Sequence, residues 1–102
     1  MKLEDIQSVY FIGIGGIGMS ALARYFKQLN KHVEGYDKTP SRITKELIEE
    51  GIPVHFDDSM KAIPEMLFLE KQSSVLVVYT PAVPNAHPQL RYLTHAGFQI
   101  MK

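Results

Sequence analysis

The sequence predicts an α/β domain, a five-stranded parallel sheet with helices on both faces. Three features predict it: two apolar runs that do not alternate, helical stripes between strand-like segments, and a run of glycines where the first strand meets the first helix. Residues 8–14 (SVYFIGI) and 74–80 (SVLVVYT) are apolar at odd and even positions alike. That suits strands buried on both faces rather than strands with one face in water.

The segments follow in order. The first strand is residues 8–14. From there Ile17, Ala21, Leu22, Tyr25, Phe26 and Leu29 recur in steps of three and four, one stripe of a helix that starts inside the glycine turn, with Tyr25 and Phe26 in the core. Residues 32–36 make the second strand. Thr39 and Pro40 then supply a capping side chain and a first-turn proline. The helix they open turns Ile43, Leu47 and Ile48 inward and stops at Gly51. A short third strand occupies residues 52–56. Residues 60–72 are helical in composition, but Pro64 confines a regular helix to one side of it or kinks it. The fourth strand, residues 74–80, ends at Pro81 and carries the strongest strand signal, which places it centrally. A last helix over residues 88–96 opens with a proline and points Leu90, Leu93 and Ala96 at the core; Gly97 stops it before a final strand, residues 98–101. Strands and helices alternating in this way imply right-handed crossovers in a parallel sheet.

A chain of 102 residues, 45% hydrophobic and 22% charged, has the size and apolar content for one core, so residues 1–102 are read as a single domain. Eleven basic residues balance eleven acidic ones. No global field therefore draws the chain to nucleic acid or to an anionic membrane, and an anionic ligand has to be held locally. Cysteine is absent, which removes disulfides and thiolate metal sites. The amino terminus lacks the pattern of a signal peptide and no apolar span approaches the roughly 18 residues of a membrane helix, so a cytoplasmic location is expected.

Gly13-Ile14-Gly15-Gly16-Ile17-Gly18 fits G-x-G-x-x-G between a strand and a helix, the setting in which the pattern has physical meaning. The first glycine permits a tight turn, the second lets backbone approach a diphosphate, and the third lets helix and strand pack closely. N–H groups at the start of the helix, around Gly16 to Gly18, then face the phosphates with the helix dipole behind them. Asp37 follows at the end of the second strand, where a carboxylate accepts from a ribose in dinucleotide folds. It reads equally as a turn aspartate. Thr80, Pro81, Ala82 and Val83 leave the central strand at the edge where ligands gather, either lining the ligand or simply ending the strand.

Catalytic groups are not visible. His32, His55, His87 and His95 lack metal-ligand spacing, so no metal is assigned. Ser20 has no histidine near it in the sequence and suits capping or phosphate contact better than nucleophilic attack.

Taken further, Tyr10-Phe11-Ile12-Gly13-Ile14-Gly15-Gly16-Ile17-Gly18-Met19-Ser20 resembles the amino-terminal segment of the Mur ligases of peptidoglycan synthesis, in the branch that adds L-alanine to UDP-N-acetylmuramate. Gly35-Tyr36-Asp37, then Ser41, Thr44 and Leu47, then Gly51-Ile52-Pro53-Val54 follow that family's order, as do Val77-Val78-Tyr79-Thr80-Pro81-Ala82-Val83-Pro84 with Asn85, Pro88 and Leu90. The similarity runs over residues 9–101. Tyr36 stands where the family commonly has serine, Tyr79-Thr80 where it has a small serine-rich pair, and Asp57-Asp58 near its Gly-His pair. Whether Asp58 takes over that histidine's uridine contact stays open.

The resemblance implies a Rossmann-like, three-layer first domain of a three-domain enzyme, binding the UDP part of UDP-N-acetylmuramate. It further implies ATP and magnesium on a central P-loop domain and a last domain that helps hold L-alanine. In the family, ATP converts the muramyl carboxylate to an acyl phosphate, which the L-alanine amine attacks. No G-x-x-x-x-G-K-[ST] occurs in this chain. The chain ends directly after the last strand, so it is expected to be an amino-terminal fragment that presents substrate without performing the chemistry. Carried over by position, Gly13, Gly15, Gly16, Ile17 and Gly18 would hold the diphosphate, Asp37 would serve the uridine end, and Thr80, Pro81, Ala82 and Val83 would border the sugar.

Three other readings use the same residues. One is an NAD(P)-binding module of an oxidoreductase, since the same turn and carboxylate serve dinucleotides. Another is the recycling ligase that joins a ready-made tripeptide to UDP-N-acetylmuramate. The last is a nucleotide-sensing domain of a channel or regulator. Gly16 and the Met19-Ser20 pair favour the L-alanine-adding ligase.

Overall fold

Strand β1 (Ser8–Ile12) is covered on both faces, and all five of its residues are buried. The computed structural model describes residues 2–84 and 86–101; Asn85, part of the family resemblance, lies outside the described residues. On one side of β1 lie β2 (His32–Tyr36) and β3 (Val54–His55), on the other β4 (Val75–Tyr79) and β5 (Gln99–Met101). The order is β3-β2-β1-β4-β5 and every pairing is parallel. The expected five-stranded parallel α/β fold is what the chain adopts.

Alternate strand residues face two separate cores. Val9, Phe11, Val33, Leu76 and Val78 pack with Ala23 and Phe26 of α1 (Ile17–Gln28) and Leu47 of α2 (Arg42–Glu49). Tyr10, Ile12, Tyr36, Val75 and Val77 pack with Leu67 of α3 (Met66–Leu69) and with Leu90 and Leu93 of α4 (Pro88–His95). Two helices on each face complete the three layers.

Several boundaries and faces differ from the sequence reading. β1 stops at Ile12 because Gly13 turns the chain at φ +95°; Ile14 stays in the core. β3 shrinks to two residues, since only Gly35 and Tyr36 of β2 pair with it. The buried face of α1 is Ser20, Ala23 and Phe26, with Met19 and Leu22 packed against the core. Positions 19, 22, 23 and 26 form the stripe, rotated from the expected one. Ile17, the first helical residue, projects outward at 83% exposure, and Tyr25 is half exposed at 49% with its ring edge against Phe26. Leu29 and Ile48 are also exposed rather than core, and Ala96 lies beyond the end of α4.

The cap of α2 is Ser41, not Thr39. Thr44 N–H donates to Ser41 Oγ at 3.2 Å while Ser41 N–H donates to Thr44 Oγ1 at 2.8 Å, a reciprocal capping box. α4 opens as expected on a proline, and Leu90 N–H donates to the Nδ1 of its cap, His87, at 3.5 Å. Residues 60–72 break around Pro64 into a 3₁₀ turn, Met60–Ala62, and the single turn of α3.

Candidate functional site

The chain crosses from β3 back over β1 to β4, so the loops after β1 and β4 diverge at the carboxyl edge of the sheet, the switch point where open α/β sheets take ligands. Those loops touch. A β-carbon at position 13 would lie 2.5 Å from Thr80 Cγ2, and the positive φ of Gly13 adds a backbone reason for glycine. Val83 N–H donates to the Thr80 carbonyl at 2.9 Å, which folds the second loop into a tight turn beside the first.

Each N–H of the glycine turn can be accounted for. Those of Gly13 and Ile14 donate to the Tyr36 carbonyl at 2.8 and 3.0 Å. Gly15 N–H donates to Asp37 Oδ2 at 2.7 Å, and Gly16 N–H reaches the Gly13 carbonyl at 3.4 Å. Ser20 N–H makes the first helical bond, to the Gly16 carbonyl at 2.8 Å. Between them, the N–H groups of Ile17, Gly18 and Met19 have no acceptor among the described residues, and the helix has neither a side-chain cap nor an acidic first-turn residue. Three such donors at the positive end of a helix dipole are a geometry that can accept an anion without any basic side chain.

The glycines divide their work differently from the expected scheme. A β-carbon at Gly15 would meet Asp37 Oδ2 at 2.7 Å and Thr44 Cγ2 at 3.0 Å, whereas one at Gly18 meets nothing within 4 Å. Gly18 is therefore not the point of close helix–strand packing. The closest approach is instead between β2 and the turn itself, at Gly35, where a β-carbon would fall 2.5 Å from Ile14 Cδ1 and 2.7 Å from Ile14 Cβ. Ser20 is buried and its hydroxyl donates to the Ile17 carbonyl at 3.0 Å, so its place is inside the helix.

Asp37 is both a turn residue and a neighbour of the glycine turn. Its Oδ1 accepts from Thr39 N–H at 3.2 Å while Oδ2 takes Gly15. Beside it, Tyr36 packs its ring on His55 and on His87, at centroid distances of 5.8 and 4.9 Å. Burial first, then the carboxylates of Asp58, Asp37 and Asp57, hold the Tyr36 phenol above its ordinary range.

Beneath this edge runs a polar chain that the sequence did not announce. Gln89, fully buried in the first turn of α4, donates from Nε2 to the carbonyls of Asp57 and Ser59 at 3.1 and 2.8 Å. Its Oε1 accepts from the Tyr10 hydroxyl at 2.6 Å. With the single hydroxyl proton spent there, the 2.8 Å contact between Tyr10 and His55 Nε2 requires the imidazole to donate, which fixes the Nε2–H tautomer. Burial pushes the Tyr10 phenol up and both His55 and His87 down from the usual imidazole value; at His55 the Asp57 backbone and nearby carboxylates offset part of it. The one hint in the sequence was His87 standing before Pro88, a capping position. Among the described residues no group of three His, Asp or Glu side chains is placed to hold a metal, and no helix is long and apolar enough to cross a membrane.

Fold and site together define a parallel α/β domain whose glycine turn, at the switch point, leaves three backbone N–H groups without acceptors among the described residues. The family match is specific: residues 8–102 match the Mur ligase family, catalytic domain, and the chain belongs to that family. It is 55% identical over all 102 residues to the UDP-N-acetylmuramate–L-alanine ligase of Flavobacterium johnsoniae, covering 22% of that protein. The ligase of the same name from Cytophaga hutchinsonii is also 55% identical, again over 100% of this chain and 22% of the relative. The chain thus spans about a fifth of the length of these relatives. Among solved structures, a UDP-N-acetylmuramate-alanine ligase from Thermotoga maritima superposes at a TM-score of 0.79 with 29% identity, covering 92% of this chain and 20% of that one. The murein peptide ligase from Psychrobacter arcticus shares the fold at TM-score 0.75 and 20% identity, over 93% of this chain and 18% of that one.

Proposed function

We propose that this chain is the substrate-binding domain, residues 1–102, of a ligase that joins L-alanine to UDP-N-acetylmuramate, and that it holds the UDP diphosphate. The observation that carries the reading is the trio of unclaimed N–H groups at Ile17, Gly18 and Met19. A diphosphate seated there exchanges solvating water for charge-assisted hydrogen bonds along the helix dipole. Gly13, Gly15 and Gly16 shape the turn beneath it. Asp37 borders the uridine end, where each carboxylate oxygen retains a lone pair for a ribose hydroxyl. The Thr80, Pro81, Ala82 and Val83 turn, in contact with Gly13, borders the sugar side.

ATP and magnesium, which the family resemblance implies, would be held by parts of the ligase outside the stretch this chain matches. None of the residues here carries a catalytic step. A cytoplasmic location goes with this reading.

The test is a titration of amide chemical shifts with UDP-N-acetylmuramate, with UMP and NADH in parallel. Shifts at Ile17, Gly18, Met19 and the Thr80–Val83 turn with the UDP-sugar, weaker with UMP and absent with NADH, are expected. A preference for NADH would make this a dinucleotide module instead.

A further inference from the structure

Asp37 sits where a ribose acceptor is expected, yet its shortest contact is with backbone. Oδ2 accepts from Gly15 N–H at 2.7 Å and Oδ1 from Thr39 N–H at 3.2 Å. The side chain thereby bridges the loop after β1 and the loop after β2. Its oxygen also lies 2.7 Å from where a Gly15 β-carbon would be, so the second glycine of the fingerprint makes room for this carboxylate as well as for a ligand.

The contact falls at a critical place. Gly15 directly precedes the helix cap, Gly16, which has no side-chain hydrogen bond of its own. The N–H groups of Ile17, Gly18 and Met19 point wherever the Gly15–Gly16 backbone sends them. A two-point anchor on Asp37 removes the freedom of a glycine-rich turn that would otherwise have to be ordered on binding. The carboxylate also completes the donor count of the turn: Gly13 and Ile14 are taken by the Tyr36 carbonyl, Gly15 by Asp37, Gly16 by the Gly13 carbonyl, and those of Ile17, Gly18 and Met19 are left for an external anion.

We infer that Asp37 is a positioning residue for the glycine turn, holding Gly15 so that the N–H groups of Ile17, Gly18 and Met19 stand ready for a diphosphate. The inference rests on the diphosphate reading proposed above and deepens it: Asp37 acts on the phosphate end through Gly15, in addition to any contact it makes with a ribose. Its charge lies close to the anion it helps to place, so the useful property of the side chain is the acceptor oxygen and not the negative charge.

That separation gives the experiment. Asp37→Asn and Asp37→Ala both remove the charge, but only asparagine keeps an oxygen for Gly15. The wild-type chain and both variants are compared by amide chemical shifts without ligand, and by affinity for inorganic pyrophosphate, which has no ribose, and for UDP-N-acetylmuramate. In Asp37→Ala the Gly15 amide proton is expected to move upfield, and in Asp37→Asn to stay near its wild-type position. Pyrophosphate is expected to bind Asp37→Ala about fivefold more weakly than Asp37→Asn, the effect of losing one ordinary hydrogen bond. Equal pyrophosphate affinities in the two variants, or an unmoved Gly15 resonance in Asp37→Ala, would overturn the inference. So would a loss confined to UDP-N-acetylmuramate in both variants, which marks a ribose acceptor only. If the wild-type chain binds neither ligand, the proposed function fails, while the Gly15 resonance still decides whether Asp37 holds the turn.

Discussion

The Tyr10 hydroxyl donates to Gln89 Oε1 at 2.6 Å across 79 residues of sequence, tying the central strand to the first turn of α4. Both side chains are fully buried, so each depends on the other for its hydrogen bonds. Through its amide nitrogen Gln89 also holds the Asp57 and Ser59 carbonyls, and with them the loop that follows β3 at the ligand edge.

Removing one member strands the rest. Tyr10→Phe leaves the fully buried Gln89 Oε1 without a partner and breaks the contact to His55 Nε2, and is expected to cost about 1–3 kcal/mol of stability. Urea denaturation measures it. Stability within about 0.5 kcal/mol of wild type, the usual scatter of surface substitutions, would mean that water or a rearranged Gln89 satisfies the orphaned groups.

Gly35 and Ile14 make a second close pair. Gly35→Ala places a β-carbon 2.5 Å from Ile14 Cδ1 and 2.7 Å from Ile14 Cβ. The second contact is too near the backbone for a rotamer change to relieve it. A loss of about 3 kcal/mol is expected, at the upper end of ordinary overpacking, and adding Ile14→Val is not expected to restore it because Cβ remains. Thermal unfolding of both variants checks this; full recovery in the double variant would place the strain at Cδ1 alone.

These two pairs show what the sequence made legible. β1 and β4 could be read because burial on both faces leaves an unalternating apolar signature, and the glycine turn because its spacing is local. Asp37 was found by its position, but not its grip on Gly15, a contact over 22 residues that exists only once β1 and β2 lie in register. The sequence points to Thr39 as the cap instead of Ser41, because the partner that makes Ser41 the cap is Thr44 and not the Glu or Gln that signals the usual capping box. Gln89 reads as an ordinary polar residue in a surface helix. Its burial comes from α4 packing over Tyr10, which no helical period announces. Gly18 fits the fingerprint, yet the close contact lies at Gly35, where β2 meets Ile14 of the turn.

The half-buried His55 and the buried His87 predict how stability follows pH. Burial lowers the folded-state values of His55 and His87 below the unfolded value of 6.5. Above that value both states hold the rings neutral and nothing is lost. As pH falls through 6.5 toward the folded-state values the unfolded chain takes up protons first, so stability declines through this window. The urea midpoint is expected to drop between pH 7.5 and about 5, before the carboxylates titrate. Replacing His87 with Asn, which can still cap α4, should flatten the slope. A midpoint constant over this range would mean that the imidazoles are not shielded from water.

Gly18 separates binding from folding. A β-carbon there meets nothing within 4 Å, so a side chain at this position is accommodated by the fold. Gly18→Asp adds a better helix residue than glycine and puts a negative charge in the first turn of α1, which now has none; together these should raise stability by about 1 kcal/mol. The same charge would stand against a diphosphate on the N–H groups of Ile17, Gly18 and Met19, so affinity for pyrophosphate and for UDP-N-acetylmuramate should fall by at least about tenfold, the equivalent of roughly 1.4 kcal/mol. Gly18→Ala serves as the uncharged control, with a smaller steric loss. Opposite signs for stability and binding in Gly18→Asp would support an anion seat at this helix terminus. A stabilised variant that binds both ligands as tightly as wild type would move the diphosphate away from α1 altogether, because a like charge within the seat cannot be neutral to the ligand it faces.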